Sequence, residues 1–266
     1  MSLPKQLTIK QALSRAKKAV KRGDVSLAQQ LYSLILKHDP QHPIAIRSLR
    51  KLKKNLFHDQ SGFIQPTDPP ENQISKLIDL YRLGRMVEVE RQSKRLLEIY
   101  PQSLTLFNFL GAVLAGQGRL EEAVSSYEKA IELKPDFAEA YSNLGSVQND
   151  LGKSKDALSS YEKAIELKPD FAEAYSNLGN LLIKLSRFEE AVSSYEKAIE
   201  LKPDYAEAYN NCSKALIKLS RFEEAVSSYE KAIELKPDYD EAYSNLGNVL
   251  IKLSRFEEAV SNYEKA

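Results

Sequence analysis

Apolar residues recur at three- and four-residue spacing through the second half of the chain, in paired stretches that predict pairs of amphipathic helices. Between residues 172 and 203 the first stretch is marked by Tyr175, Leu178 and Leu182, and the second by Phe188, Ala191, Val192, Tyr195, Ala198 and Ile199. Gly179, Ala191 and Ala198 are small, which lets the two helices, and the next pair, approach closely. Pro203 cannot continue a helix and so ends the second one. Asp170 with Glu173, and Ser186 with Glu189, have the spacing of capping boxes opening the two helices. The same signals return at Asp204 with Glu207 and at Ser220 with Glu223.

The pattern is periodic. KLSRFEEAVSSYEKAIELKPD fills residues 184–204 and returns unchanged at 218–238, then at 252–266 with Asn262 in place of Ser, each step being 34 residues. In the same phase, EEAVSSYEKAIELKPDF begins at Glu121 and DALSSYEKAIELKPDF at Asp156. One helical hairpin cannot bury its apolar face alone, but stacked copies cover one another. The expected fold is therefore an all-α solenoid of antiparallel helix pairs.

Upstream the pattern weakens without losing phase. Residues 73–102 hold Ile74, Leu77, Leu80, Tyr81, a Gly84 turn, Leu96, Leu97 and Pro101, a degenerate repeat. Residues 9–40 hold Ala12, Ala16, Ala19, a Gly23-Asp24 turn, Ala28, Tyr32, Ile35 and Pro40, another such copy. A basic helix from about Ile44 to Phe57 is expected to cover it, and residues 58–72, with three prolines and no periodicity, read as a linker. The expected organisation is a basic helical unit over 1–57, the linker, the degenerate repeat, and a regular array of about five repeats over 103–266, the last incomplete.

The regular copies resemble the tetratricopeptide repeat family. Its pattern is an aromatic, two residues, Leu-Gly, a later apolar residue, Ala-x3-aromatic, Ala and a closing Pro. Tyr175, Leu178, Gly179, Leu182, Ala191, Tyr195, Ala198 and Pro203 fit it, as do Phe107, Leu110, Gly111, Leu114, Ala123, Tyr127, Ala130 and Pro135. The match is close over 103–266 and loose before. The resemblance implies a right-handed superhelical solenoid whose first helices line a concave groove.

Asn143, Asn177, Asn211 and Asn245 occupy one equivalent first-helix position in four successive copies. In the family that position faces the groove. The column resembles the asparagine ladder of O-linked N-acetylglucosamine transferase, which holds extended peptide through its backbone. An amide can donate to a carbonyl and accept from an N–H whatever the peptide's side chains. Asn at this position is also simply common in such repeats. Asn180 and Asn248 lie three residues further along, and Lys184, Lys218 and Lys252 seven further, with Asp150 breaking the lysine column. Glu139, Glu173, Glu207 and Glu241 sit at helix starts, where they suit the dipole. The clamp by which chaperone-binding members of the family hold a C-terminal carboxylate does not map onto these columns. In the copy from Asn210, NNCSKALIKL replaces NLGNLLIKL, so Cys212 and Ser213 stand for Leu and Gly and should loosen packing between hairpins.

Composition adds limits. The chain has 266 residues, 42% of them hydrophobic, with no run near the roughly 18 apolar residues of a membrane span. Its start lacks the apolar core of a secretory signal, so a cytoplasmic setting is expected. The net charge of +1 hides an asymmetry: residues 1–60 hold 13 Lys or Arg against 3 Asp or Glu, and the rest 25 against 34. The basic end can be a solvated helix surface, an anion-binding surface, or a match for the acidic array of a second copy. Nucleic acid is not an expected partner, with residues 1–57 as the one place it could bind.

No catalytic constellation emerges, and no cofactor is expected. His38 and His42 have a zinc-like spacing, but Pro40 lies between them and only Asp39 accompanies them. Cys212 reads as a small core residue. Paired carboxylates such as Glu189 and Glu190 recur on a solvated surface in most copies. The expected function is a scaffold for protein or peptide partners. The alternative is the substrate-recruiting region of a larger enzyme of glycosyltransferase, sulfotransferase, methyltransferase or oxygenase type. Ala266 falls inside a predicted second helix, so the sequence reads as a fragment whose uncapped end could self-associate.

Overall fold

The computed structural model describes residues 8–22, 24–40, 42–56 and 67–266; the expected Gly23 turn and residues 58–66 of the expected linker lie outside them. Among the described residues there are fifteen helices and no strand, an all-α solenoid of helical hairpins. The chain divides into two compact units, Met1–Gln65 and Pro66–Ala266.

In the first unit, α1 (Ile9–Lys21) and α2 (Val25–His38) form a hairpin on which α3 (Pro43–Leu56) packs. Ala12, Ala16 and Ala19 of α1, Ala28, Leu31, Tyr32 and Ile35 of α2, and Ala45 and Leu52 of α3 form one buried cluster, with the basic helix packed on α2. Thr8 and Gln11 cap α1 reciprocally, and Asp24 accepts from the Leu27 N–H at 3.0 Å to cap α2. His42 has a similar role. Its Nδ1 accepts from the Ala45 N–H at 3.3 Å at the start of α3, which accounts for the residue without a metal.

The second unit is six hairpins. These are α4 (Glu71–Arg82) with α5 (Met86–Leu97), α6 (Leu104–Gly116) with α7 (Leu120–Leu133), and α8 (Ala138–Asp150) with α9 (Ser154–Leu167). Then come α10 (Ala172–Lys184) with α11 (Phe188–Leu201), α12 (Ala206–Lys218) with α13 (Phe222–Leu235), and α14 (Asp240–Lys252) with α15 (Phe256–Tyr263). The first of these helices begins two residues inside the stretch expected as linker. From α5 to α13 each second helix ends before its proline: α11 stops at Leu201, and Lys202 takes the extended conformation, φ −139° and ψ 85°, that a following proline favours.

The capping boxes expected at Asp170, Ser186, Asp204 and Ser220 do not form. The residues preceding α10, α11, α12 and α13 are Phe171, Arg187, Tyr205 and Arg221, and none makes a side-chain capping bond. At the two serines the reason lies in the turns. Ser186, Ser220 and Ser254 have φ of 60°, 60° and 61°, the left-handed conformation that Gly84, Gly118 and Gly152 take at 70° to 74° in the earlier hairpins. Each of these residues reverses the chain within the hairpin, and the next N–H closes on the first helix, as Arg187 does on the Leu182 carbonyl at 2.9 Å. Arg187 instead grips Glu190 with two 2.6 Å hydrogen bonds, keeping a carboxylate in the first turn of α11.

A left-handed residue with a Cβ carries about 1–2 kcal/mol of strain, from which glycine's extra freedom in the unfolded chain subtracts about 0.4–1. Ser186→Gly, Ser220→Gly and Ser254→Gly together are expected to stabilise the array by about 2 kcal/mol. A melting temperature at or below that of the parent would refute this account of the turns.

Inside four of the hairpins a glycine faces a tyrosine ring. A methyl group on Gly111, Gly145, Gly179 or Gly247 would lie 2.6–2.9 Å from the ring of Tyr127, Tyr161, Tyr195 or Tyr263. These glycines are required for close approach of the two helices. Across hairpins the second-helix valines are covered by the next copy, Val192 being 3% and Val226 4% exposed. On α15, which no further copy covers here, the equivalent Val260 is 57% exposed, with Phe256 at 60%.

Candidate functional site

The first helices of successive hairpins touch directly, α6 with α8, α8 with α10 and α10 with α12, while each second helix packs chiefly on its own partner and on the next first helix. A stack whose first helices are drawn together curves with those helices on its inside. The approach is not as close between α12 and α14, at the copy that carries Cys212 and Ser213.

Asn143, Asn177, Asn211 and Asn245 are all half-buried on these first helices. Asn143 Nδ2 donates to Asn108 Oδ1 of the preceding hairpin at 2.9 Å. Asn211 Nδ2 donates to Asn180 Oδ1 at 3.2 Å, and its own Oδ1 accepts from Lys214 Nζ and Asn210 Nδ2, each at 3.2 Å. Asn177 has no side-chain partner among the described residues. The column thus runs from copy to copy, partly engaged with itself. A ligand would trade these exposed amide–amide bonds for its own, gaining only the small net difference typical of such exchanges.

Asn180 and Asn248 have an additional role that their spacing from the ladder does not reveal. Each accepts from the tyrosine hydroxyl of its own second helix, Tyr195 at 2.7 Å and Tyr263 at 2.9 Å. The signal was present in the sequence as a 15-residue Asn–Tyr interval in two copies, with Lys214 in the asparagine's place in the copy between them. There the buried Tyr229 hydroxyl has no hydrogen-bond partner among the described residues. Lys214 reaches away to Glu241 at 2.6 Å and holds that carboxyl below the usual carboxylate range, with the Asn210 and Asn245 amides adding to the effect.

The lysines differ among themselves. Lys184 Nζ spans to the Asn149 carbonyl and amide oxygens at 3.1 and 3.0 Å, Lys252 lies 5.3 Å from the centre of the Phe222 ring, and Lys218 is exposed. Of the glutamates at helix starts, Glu139 pairs with Lys168 at 3.0 Å and Glu173 with Lys202 at 3.3 Å. These two bonds tie the starts of α8 and α10 to the ends of their own hairpins. Half-exposed amides can donate to and accept from a ligand's backbone whatever its side chains.

Cys212 is 3% exposed, and burial pushes its thiol up to about 12, so it stays protonated. Among the described residues no group of three or more His, Cys, Asp or Glu side chains could hold a metal ion, and no helix is long and apolar enough to cross a membrane.

The chain matches the family described as TPR repeat over residues 111–152, 147–186 and 214–254, and a Tetratricopeptide repeat over 172–205. No curated protein matches it. Among solved structures it is similar to MamA, with 28% identity and a TM-score of 0.54 over 59% of this chain and 91% of that one. It is also similar to YrrB, a TPR protein with an unusual peptide-binding site, with 25% identity and a TM-score of 0.53 over 65% and 89%. A thermophilic TPR protein in Thermus thermophilus shares the fold at 21% identity, with a TM-score of 0.58 over 68% and 98%.

Proposed function

Because the chain belongs to the tetratricopeptide repeat family, we propose that it is a protein-interaction scaffold whose first-helix face holds an extended peptide segment of a partner. The observation that carries this reading is the in-register column of half-exposed amides at Asn143, Asn177, Asn211 and Asn245. Asn180, Asn248, Lys184, Lys218 and Lys252 border it, the lysines within reach of a carbonyl or side-chain acceptor. The peptide-binding site named for the similar YrrB is consistent with such use of the fold.

Peptides selected against the chain from a random display library provide the test. Replacing the four ladder asparagines with alanine removes four hydrogen-bonding groups, each worth about 0.5–1.5 kcal/mol net. Affinity is expected to fall at least tenfold, while alanine, the stronger helix former, leaves the helices intact. Methylating one backbone nitrogen of a bound peptide should weaken it comparably. Unchanged affinity of the fourfold variant, with helicity retained, overturns the proposal.

A further inference from the structure

The first helix of the N-terminal unit carries a surface that the groove does not use. Lys10, Arg15, Lys17, Lys18, Lys21 and Arg22 are all exposed, and none is in an ion pair or side-chain hydrogen bond among the described residues. No acidic residue lies on α1. Across residues 8–22, 24–40 and 42–56 there are twelve Lys and Arg against two Asp, and one of these, Asp24, is committed to capping α2. Like charges this dense repel one another without a counter-charge.

The cations are not alone on that surface. Ala12, Ala16 and Ala19 point into the unit's core. Ile9 and Val20, 38% and 41% exposed, are eleven residues apart, three helical turns, and so share one side of α1. Lys10, Lys17 and Lys21 fall on the adjoining side at seven- and four-residue spacing. A strip of aliphatic side chains bordered by long, flexible ammonium groups matches the boundary of a bilayer, where the stems lie along the acyl region and the charges reach the headgroups. Nucleic acid is the poorer fit. Single strands need exposed aromatic platforms, and the aromatic residue of the described part of this unit, Tyr32, is buried in the core.

We propose that α1 docks the chain reversibly on an anionic phospholipid surface, through Lys10, Lys17 and Lys21 with Ile9 and Val20. Each cation brought to such a surface strengthens binding about fivefold, so the interaction is weak singly, strong collectively and screened by salt.

Flotation of the full chain with phosphatidylcholine vesicles, with and without roughly a third phosphatidylserine, tests this. Binding is expected to the anionic vesicles only, at about 0.05 M salt, and to be lost by about 0.5 M. Lys10→Gln with Lys17→Gln and Lys21→Gln should reduce it about a hundredfold. Ile9→Ser with Val20→Ser should reduce it severalfold with every charge retained, provided circular dichroism shows parental helicity for both variants. Absence of binding to anionic vesicles at low salt overturns the proposal. So does an oligonucleotide bound more tightly than vesicles and indifferent to the Ile9 and Val20 substitutions. So too does a mass that rises with loading in analytical ultracentrifugation and falls in the lysine variant, with no vesicle binding.

Discussion

Tyr195→Ala is expected to cost about 3–5 kcal/mol, the range for removing a large buried ring from a close-packed site. Tyr195 is fully buried among Leu182, Ala191, Val192, Ala198, Ala208 and Cys212, so its ring joins α10, α11 and α12. It also fills the space that Gly179 leaves, where no larger residue could stand. Removing the ring leaves a cavity that the rigid helices on either side cannot close. Stability in a stack of this kind is roughly a nearest-neighbour sum. The loss at a central hairpin should therefore uncouple the copies before it from those after, and urea unfolding should become two transitions. Tyr195→Phe removes only the 2.7 Å bond to Asn180, whose exposed amide can turn to water, and should cost about 1 kcal/mol. A Tyr195→Ala protein within about 1 kcal/mol of the parent, or a Phe variant as unstable as the Ala variant, contradicts the packing argument.

Cys212→Leu, Ser213→Gly and Lys214→Asn, made together, should raise stability by about 3 kcal/mol. Three separate effects add here. The leucine restores the apolar volume that Leu246 supplies in the next copy, worth about 1 kcal/mol. The glycine removes a side chain from the position where sister copies leave room for a tyrosine ring. That relief exceeds the helix-propensity loss of about half a kcal/mol. The asparagine gives the buried Tyr229 hydroxyl the partner that Tyr195 and Tyr263 have, recovering about 1–3 kcal/mol. Against this stands the exposed Lys214–Glu241 pair, worth less than about 1 kcal/mol. Lys214→Asn alone separates the hydroxyl from the rest. Thermal melting of the single and triple variants gives the comparison, and a triple variant no more stable than the parent sinks the account.

The helices, their pairing and their period were legible because burial in a stack depends on spacing, and spacing is written in the chain. Tyr195, Gly179 and Ala198 recur at fixed intervals, so one copy explains the others. The basic helix over residues 43–56 was legible for the same reason, through apolar positions such as Ala45 and Leu52 that meet the hairpin beneath. Ser186, by contrast, has a sequence neighbourhood that reads as a helix cap. Its left-handed backbone follows from the need to reverse the chain within the hairpin, and its equivalence to Gly152 marks that only by alignment of the copies.

The sequence by itself determined the all-α class, the 34-residue step, the position of the asparagine column and the imbalance of charge between the two ends. These are periodic or compositional properties, readable without knowing which side chains meet. Tertiary structure alone decided what each polar group does once the helices are stacked. It ties Asn143 to Asn108, engages Asn180 with both Tyr195 and Asn211, turns Lys214 toward Glu241 and leaves the Tyr229 hydroxyl without a partner among the described residues. The reason is physical: apolar burial is non-directional and tolerates inference from spacing, whereas a hydrogen bond depends on distances of a few tenths of an ångström between residues 15 to 35 positions apart in the chain.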